Sequence, residues 1–174
     1  MSRPSRLMIV DDQPAEQMLL RTACATAEWD VTIDDQRSGQ EAINSLRRNH
    51  ADQTPTDLVL LACYLQGTTC IDTLRIIRNH PGLSHQPIIV FSSTPILSEV
   101  IQTCYMLGVL KCLERPGDTT HLVQMVSEIK AHFSDDGSLT PRGPWVNSSR
   151  LAVVREMNAR MEPRVLAAAR SAVP

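Results

Sequence analysis

Three short runs of uninterrupted apolar residues, Leu7–Val10, Leu58–Leu61 and Ile88–Phe91, constrain the fold of this chain more than any other feature. A strand with one wet face alternates apolar and polar residues. An unbroken apolar run belongs to a strand covered on both sides, as in parallel sheets. Asp30–Ile33 reads as a weaker strand and Val109–Leu113 as a further one. Between these runs the spacing turns helical, over Pro14–Ala27, Ser38–Arg48, Thr69–Asn79, Leu97–Leu107 and Thr119–His132. In the last segment Leu122, Met125, Val126 and Ile129 define one buried face, with Asp118 or Thr119 as its N-cap.

Strand and helix signals therefore alternate five times, the pattern of a βα repeat. With right-handed crossovers this predicts an α/β fold, flavodoxin-like, with a parallel sheet of order 2-1-3-4-5. Such a sheet gathers the carboxyl ends of its strands at the switch point of the topology. Asp11, Asp12, Ala62, Ser92 and Arg115 all follow or end predicted strands, so residues far apart in sequence are expected to converge on one shallow cleft.

The residues at those ends carry a family likeness. Leu7-Met8-Ile9-Val10-Asp11-Asp12-Gln13-Pro14 resembles the first strand and acidic loop of bacterial response-regulator receiver domains (the CheY-like fold). Thr56-Asp57-Leu58-Val59-Leu60-Leu61-Ala62 resembles the third strand, Pro87–Ser93 the fourth, and Leu113-Glu114-Arg115-Pro116 the end of the fifth. The likeness spans roughly residues 5–133. It implies that Asp11 and Asp12 stand at the Mg²⁺-binding acid pair and Ser92 at the switch hydroxyl. It further implies that Arg115 replaces the usual Lys, and that Cys112 replaces the aromatic switch residue many members carry. It also puts Ala62 at the position of the phosphorylated Asp. Gln66 stands where the family usually has Pro, and Cys70 where it has Gly. The loop lengths around Asp52-Gln53-Thr54-Pro55 and His80–Pro87 are similar to those of phytochrome-associated response regulators, which tend to be dimers with C-terminal extensions.

In a working receiver three carboxylates hold the metal, an aspartate attacks phosphorus and a Lys pairs with the phosphoryl oxygens. A methyl group at position 62 supplies neither nucleophile nor ligand. Asp57 lies ~17 Å back along the strand and cannot substitute, and Asp72 is expected to face solvent from the third helix. Any Mg²⁺ at Asp11 and Asp12 is therefore expected to be weak or vestigial. Two adjacent acids call for compensation, and Arg115 is expected to pair with Asp11 or Asp12.

Two origins fit Ala62: natural loss, favoured by the parallel departures at Gln66, Cys70, Cys112 and Arg115, or an Asp-to-Ala change introduced to block phosphorylation. The first makes the protein a pseudo-receiver, a non-enzymatic interaction or dimerisation module of two-component signalling. The second makes it a conventional phosphorylatable regulator in a phosphorelay. A third reading, a small flavodoxin-fold nucleotide or cofactor binder, lacks a Gly-rich phosphate loop after the first strand; Asp11-Asp12-Gln13-Pro14 there repels phosphate. The resemblance implies a histidine kinase, phosphotransfer or output protein as partner. It also implies a homodimer through the fourth helix, fifth strand and fifth helix, where Gln102, Tyr105, Lys111 and Glu128 are expected to be exposed.

Bulk properties agree with a signalling domain. The formal net charge of −2 gives no electrostatic case for nucleic acid or membrane. No apolar run approaches the ~20 residues of a membrane span, so the expected location is cytoplasmic. The five cysteines, Cys24, Cys63, Cys70, Cys104 and Cys112, show no CxxC spacing and sit among apolar residues, where Cys acts as a small buried hydrophobe. Cys63 and Cys70 flank the loop after the third strand, which leaves a redox role open to them.

Residues 1–133 form the expected receiver, 134–146 a linker rich in breakers such as Pro141-Arg142-Gly143-Pro144, and 147–174 a helical extension. Asn147-Ser148-Ser149 offers N-caps, and Leu151, Val154, Met157 (or Asn158) and Met161 share one helical face before Pro163 interrupts it. So short a segment cannot bury a core alone and is expected to cover a second copy or a partner. Removing the residues after Ser134 is expected to leave a folded receiver that no longer dimerises. Unchanged mass by light scattering would rule out the tail as the dimer element.

Overall fold

The computed structural model describes residues 4–132. The expected tail helices and linker therefore lie outside the described residues. Five parallel strands, β1 (Ser5–Val10), β2 (Val31–Gln36), β3 (Leu58–Ala62), β6 (Ile88–Ser92) and β7 (Lys111–Glu114), form one sheet of order β2-β1-β3-β6-β7. This is the expected 2-1-3-4-5 order once a small hairpin is set aside. That hairpin, β4 (Tyr64–Leu65) with β5 (Thr68–Thr69), is antiparallel and has no counterpart in the sequence reading. Two-residue strands are too short to leave a periodic signal.

The helices are α1 (Pro14–Thr26), α2 (Gly39–Ala51), α3 (Ile71–Asn79), α4 (Ser98–Met106) and α5 (Thr119–Lys130). Each matches an expected segment within a few residues. The second strand departs further, running from Val31 to Gln36 through the polar Asp34 and Asp35. It is the edge strand beside β1, and its half-exposed residues explain why no apolar run marked it.

Every residue of β3 and β6 is buried, as the unbroken apolar runs require. Helix ends are set by local chemistry. Ser38 caps α2 by accepting from the Glu41 N–H, while Glu41 accepts in return from the Arg37 N–H, close to a capping box. Asp118 caps α5 by accepting from the His121 N–H. Gly108, at φ 71°, ends α4, where the Gly108 and Val109 N–H groups bond back to Tyr105 O and Cys104 O.

Lys111 departs from expectation. It is 6 % exposed, so it does not belong to a polar open face, although Glu128 is exposed and Gln102 and Tyr105 are half-buried. Burial lowers its pKa, partly offset by the charge of Glu128.

At the opposite end of the sheet from the predicted cleft, Arg78 of α3 ties two loops together. Its guanidinium donates to Leu107 O, Gln86 O and Gly108 O. Arg78→Met keeps the apolar stem but removes all three bonds, and should lower unfolding free energy by ~2–4 kcal/mol. Urea denaturation measures this. A loss no greater than that of an exposed-arginine control would show that water replaces the guanidinium.

Candidate functional site

Three ladder hydrogen bonds continue past the strand ends and fix the backbone of the cleft. The Asp11 N–H donates to Gln36 O, the Cys63 N–H to Phe91 O and the Arg115 N–H to Ser92 O. Register aligns Ala62 with Phe91 and Ser92 with Glu114. The acidic loop is held by Gln17, a buried residue of α1 whose amide donates to both Asp11 O and Gln36 O.

A cavity of about 260 Å³ opens at this edge, lined chiefly by Asp11, Glu16, Ala62, Cys63, Ser92 and Thr94. Asp11, Ala62 and Ser92 therefore meet as the sequence suggested. Asp12 stands at the margin, where its carboxylate accepts from the Gln66 N–H at 2.9 Å. That bond depends on a departure from the family pattern. Gln66 has φ 50° and Gly67 φ 78°, a tight turn with both central residues left-handed. Proline can neither adopt that φ nor donate a hydrogen bond.

The expected Arg115 pairing is corrected. Arg115 Nε lies 2.7 Å from Glu16 Oε2, and its Nη2 donates to Glu16 Oε1 at 3.2 Å. Its partner is thus Glu16, not Asp11 or Asp12. The reason is steric: the Asp11 carboxylate accepts from the Gln13 N–H and that of Asp12 from Gln66, while the longer Glu16, on the first turn of α1, reaches the guanidinium. Both members are mostly buried, at 17 % and 13 % side-chain exposure. Arg115 Nη1 also donates to Pro116 O, which leaves the head group fixed rather than solvent-facing. Glu16 carries only a faint sequence signal, a third carboxylate within one helical turn of Asp12.

The Ser92 hydroxyl is held by Thr94, accepting from the Thr94 N–H and sharing a hydrogen bond with its Oγ1 at 3.3 Å. Cys112 is not part of this cavity. It lies in β7, half-buried, with its N–H donating to the hydroxyl of Tyr105 on α4. Asp57 points away at the other sheet edge, accepting from the Arg6 N–H, and Asp72 is 84 % exposed in its side chain, both as expected. Among the described residues no group of three or more His, Cys, Asp or Glu side chains is arranged to hold a metal ion.

A family model for the response regulator receiver domain matches residues 7–127. The chain belongs to the response regulator receiver family. Among solved structures this receiver is similar to the phosphorylated cyanobacterial phytochrome response regulator RcpA, with 26 % identity and a TM-score of 0.65 over 74 % of this chain and 92 % of that one. It shares its fold with RPA3017, a response regulator in red light signalling of R. palustris, at 16 % identity and a TM-score of 0.68 over 78 % and 97 % of the two chains. The Mn²⁺-bound form of Rcp1 follows at 22 % identity and 0.61, covering 74 % and 93 %. No curated protein sequence matches. No described helix of the receiver is long and apolar enough to cross a membrane.

Burial pushes the Asp11 carboxyl up to about 6, reinforced by the nearby Glu16 and Asp12 and opposed by the Gln13 N–H and Arg115. A raised folded-state pKa means that the folded chain holds a proton the unfolded chain has released between 3.8 and about 6. Stability from this group is therefore lost as pH rises through that window, by on the order of 2–3 kcal/mol. Asp11→Asn keeps the bond to Gln13 and removes the buried charge. It should stabilise the receiver at pH 7 and have little effect at pH 4, as read by urea unfolding. An equal gain at both pH values would show that the carboxylate charge is not the cause.

Proposed function

We propose that this receiver accepts no phosphoryl group and serves two-component signalling as a non-enzymatic interaction module. The observation that carries the reading is Ala62, at the carboxyl end of β3 and lining the cavity between Asp11 and Ser92. Phosphoryl transfer to a receiver needs a nucleophilic carboxylate at that point, and the methyl side chain has no lone pair to offer. Among the described residues no other acid takes its place: Asp57 is at the far edge of the sheet, Asp72 is on the solvent side of α3, and Glu16 is bound to Arg115.

The same arrangement supports weak Mg²⁺ binding or none. A hard divalent cation takes a shell of oxygen ligands, and here Asp11 and Asp12 stand without a third carboxylate, each already accepting a backbone N–H. Arg115 supplies a fixed positive charge through Glu16, in a geometry independent of phosphate. The reading is thus of a domain whose conformation is held from within. Its partners would be the proteins receivers meet: a histidine kinase, a phosphotransfer protein, an output protein, or a second copy of itself. The face formed by α4, β7 and α5 suits such a contact, since Leu97 and Met106 at the two ends of α4 are more than half exposed. A nucleotide- or cofactor-binding role is disfavoured by a cavity that is small for such ligands and carries two acids.

Incubation with acetyl phosphate and Mg²⁺ should leave the intact mass unchanged. A gain of one phosphoryl group, mapped to another aspartate, would overturn the reading. Ala62→Asp should raise Mg²⁺ affinity by adding the missing ligand, measured by calorimetry. Its phosphorylation should remain well below that of a conventional receiver, because the Arg115 guanidinium stays on Glu16. Full stoichiometric phosphorylation of that variant would instead mark a conventional regulator that lacks only one side chain.

A further inference from the structure

Four of the five cysteines come from four different places in the chain and meet inside the fold. Cys63 follows β3, Cys70 is the residue before α3, Cys104 lies in the last turn of α4 and Cys112 sits in β7. The Sγ atoms of Cys70 and Cys104 are 3.8 Å apart, and both residues are 0 % exposed. Cys63 lies within interaction range of Cys70 on one side, and Cys112 within range of Cys104 on the other. The thiols thus form a row from the wall of the cavity, which Cys63 lines, to the half-buried Cys112. All are free thiols.

Buried cysteines are usually inert hydrophobes, and a single one would mean nothing more. A row differs, because each thiol has another sulfur as neighbour. Cys104 is flanked on both sides. The S–H groups of Cys112 and then Cys70 push its thiol below the usual range, against the effect of burial, while those two neighbours are pushed up. Cys104 is thus, with Cys63, one of the two sulfurs in the row whose thiol is pushed down rather than up. The Cys70–Cys104 separation of 3.8 Å must shrink to ~2.05 Å for a bond.

We propose that Cys70 and Cys104 form an oxidisable site, at which a hydroperoxide such as hydrogen peroxide drives a disulfide that ties the start of α3 to the last turn of α4. Cys112 is the one cysteine of the row that is only half-buried. The Cys104 sulfur attacks one peroxide oxygen, the O–O bond breaks, and the departing hydroxide takes the Cys104 proton, giving a sulfenic acid and one water. The Cys70 sulfur then attacks Cys104 Sγ, the S–O bond breaks, and the departing hydroxide takes the Cys70 proton. Two thiols and one peroxide become one disulfide and two waters. Oxidation would fix α4, the helix that presents Leu97 and Met106. The site goes beyond the interaction-module reading and stands whether or not that reading holds.

The test is peroxide treatment of the full chain, followed by denaturation, thiol counting and disulfide mapping by mass spectrometry. Two of the five thiols should be lost, joined as Cys70–Cys104 within one chain and recovered with dithiothreitol. The oxidised form should melt at a higher temperature than the reduced one, because the bridge restricts the unfolded chain. Cys112→Ala should form the same link from its remaining thiols, whereas Cys104→Ala, checked for folding by circular dichroism, should lose none. The proposal is overturned if the wild-type chain keeps all five thiols while an unfolded control oxidises. It is equally overturned if the bond formed involves Cys112, Cys24 or a second chain.

Discussion

Coverage of β1, β3 and β6 on both faces is the constraint on which the rest of this receiver depends. Leu58, Leu60, Leu61, Ile88 and Ile89 are essentially withdrawn from water, each contributing on the order of 1.5–3 kcal/mol by burial. Helices must therefore lie on either side, joined to the strands by crossovers, and the strands here take the order β2-β1-β3-β6-β7. Once that order is set, the strand ends that carry Asp11, Ala62 and Ser92 have no freedom to lie anywhere but side by side. The ladder bonds that run one residue beyond the strands, at Asp11, Cys63 and Arg115, make this placement rigid.

Within that frame the polar groups of the cleft are satisfied by one another. Asp11 binds the Gln13 N–H, Asp12 the Gln66 N–H, and Glu16 the Arg115 guanidinium; Ser92 is turned to Thr94. The departures from the family pattern are linked through this wiring. A residue other than proline at position 66 provides both the left-handed turn and the donor that Asp12 uses. Arginine at 115 has a planar fork that meets a carboxylate with two nitrogens, which a lysine ammonium does not. These are linked features of one internally hydrogen-bonded cleft, in which Arg115 is committed to Glu16.

The thiol row runs inward from Cys63 on the cavity wall to α3, α4 and β7. Its position beside α4 matters because that helix carries Met106, with Leu97 at its N-cap, both more than half exposed. A bond between Cys70 and Cys104 would act on that helix directly, while the acidic cleft at the strand ends would be left intact.

The sequence by itself determined the strand order, the five helices within a few residues and the convergence of Asp11, Ala62 and Ser92, because unbroken apolar runs and helical periodicity are local consequences of burial. Polar Asp34 and Asp35 concealed the length of β2, since an edge strand need not be apolar. Lys111 looked exposed for the same reason, as charge alone does not reveal where a long side chain packs. The hairpin at Tyr64–Thr69 was too short for any period. Only the tertiary structure decided that Arg115 pairs with Glu16 and that four cysteines with no motif spacing form a row. Both are contacts between elements distant in sequence, where the reach of one side chain and the register of neighbouring helices select the partner, and no local pattern records either.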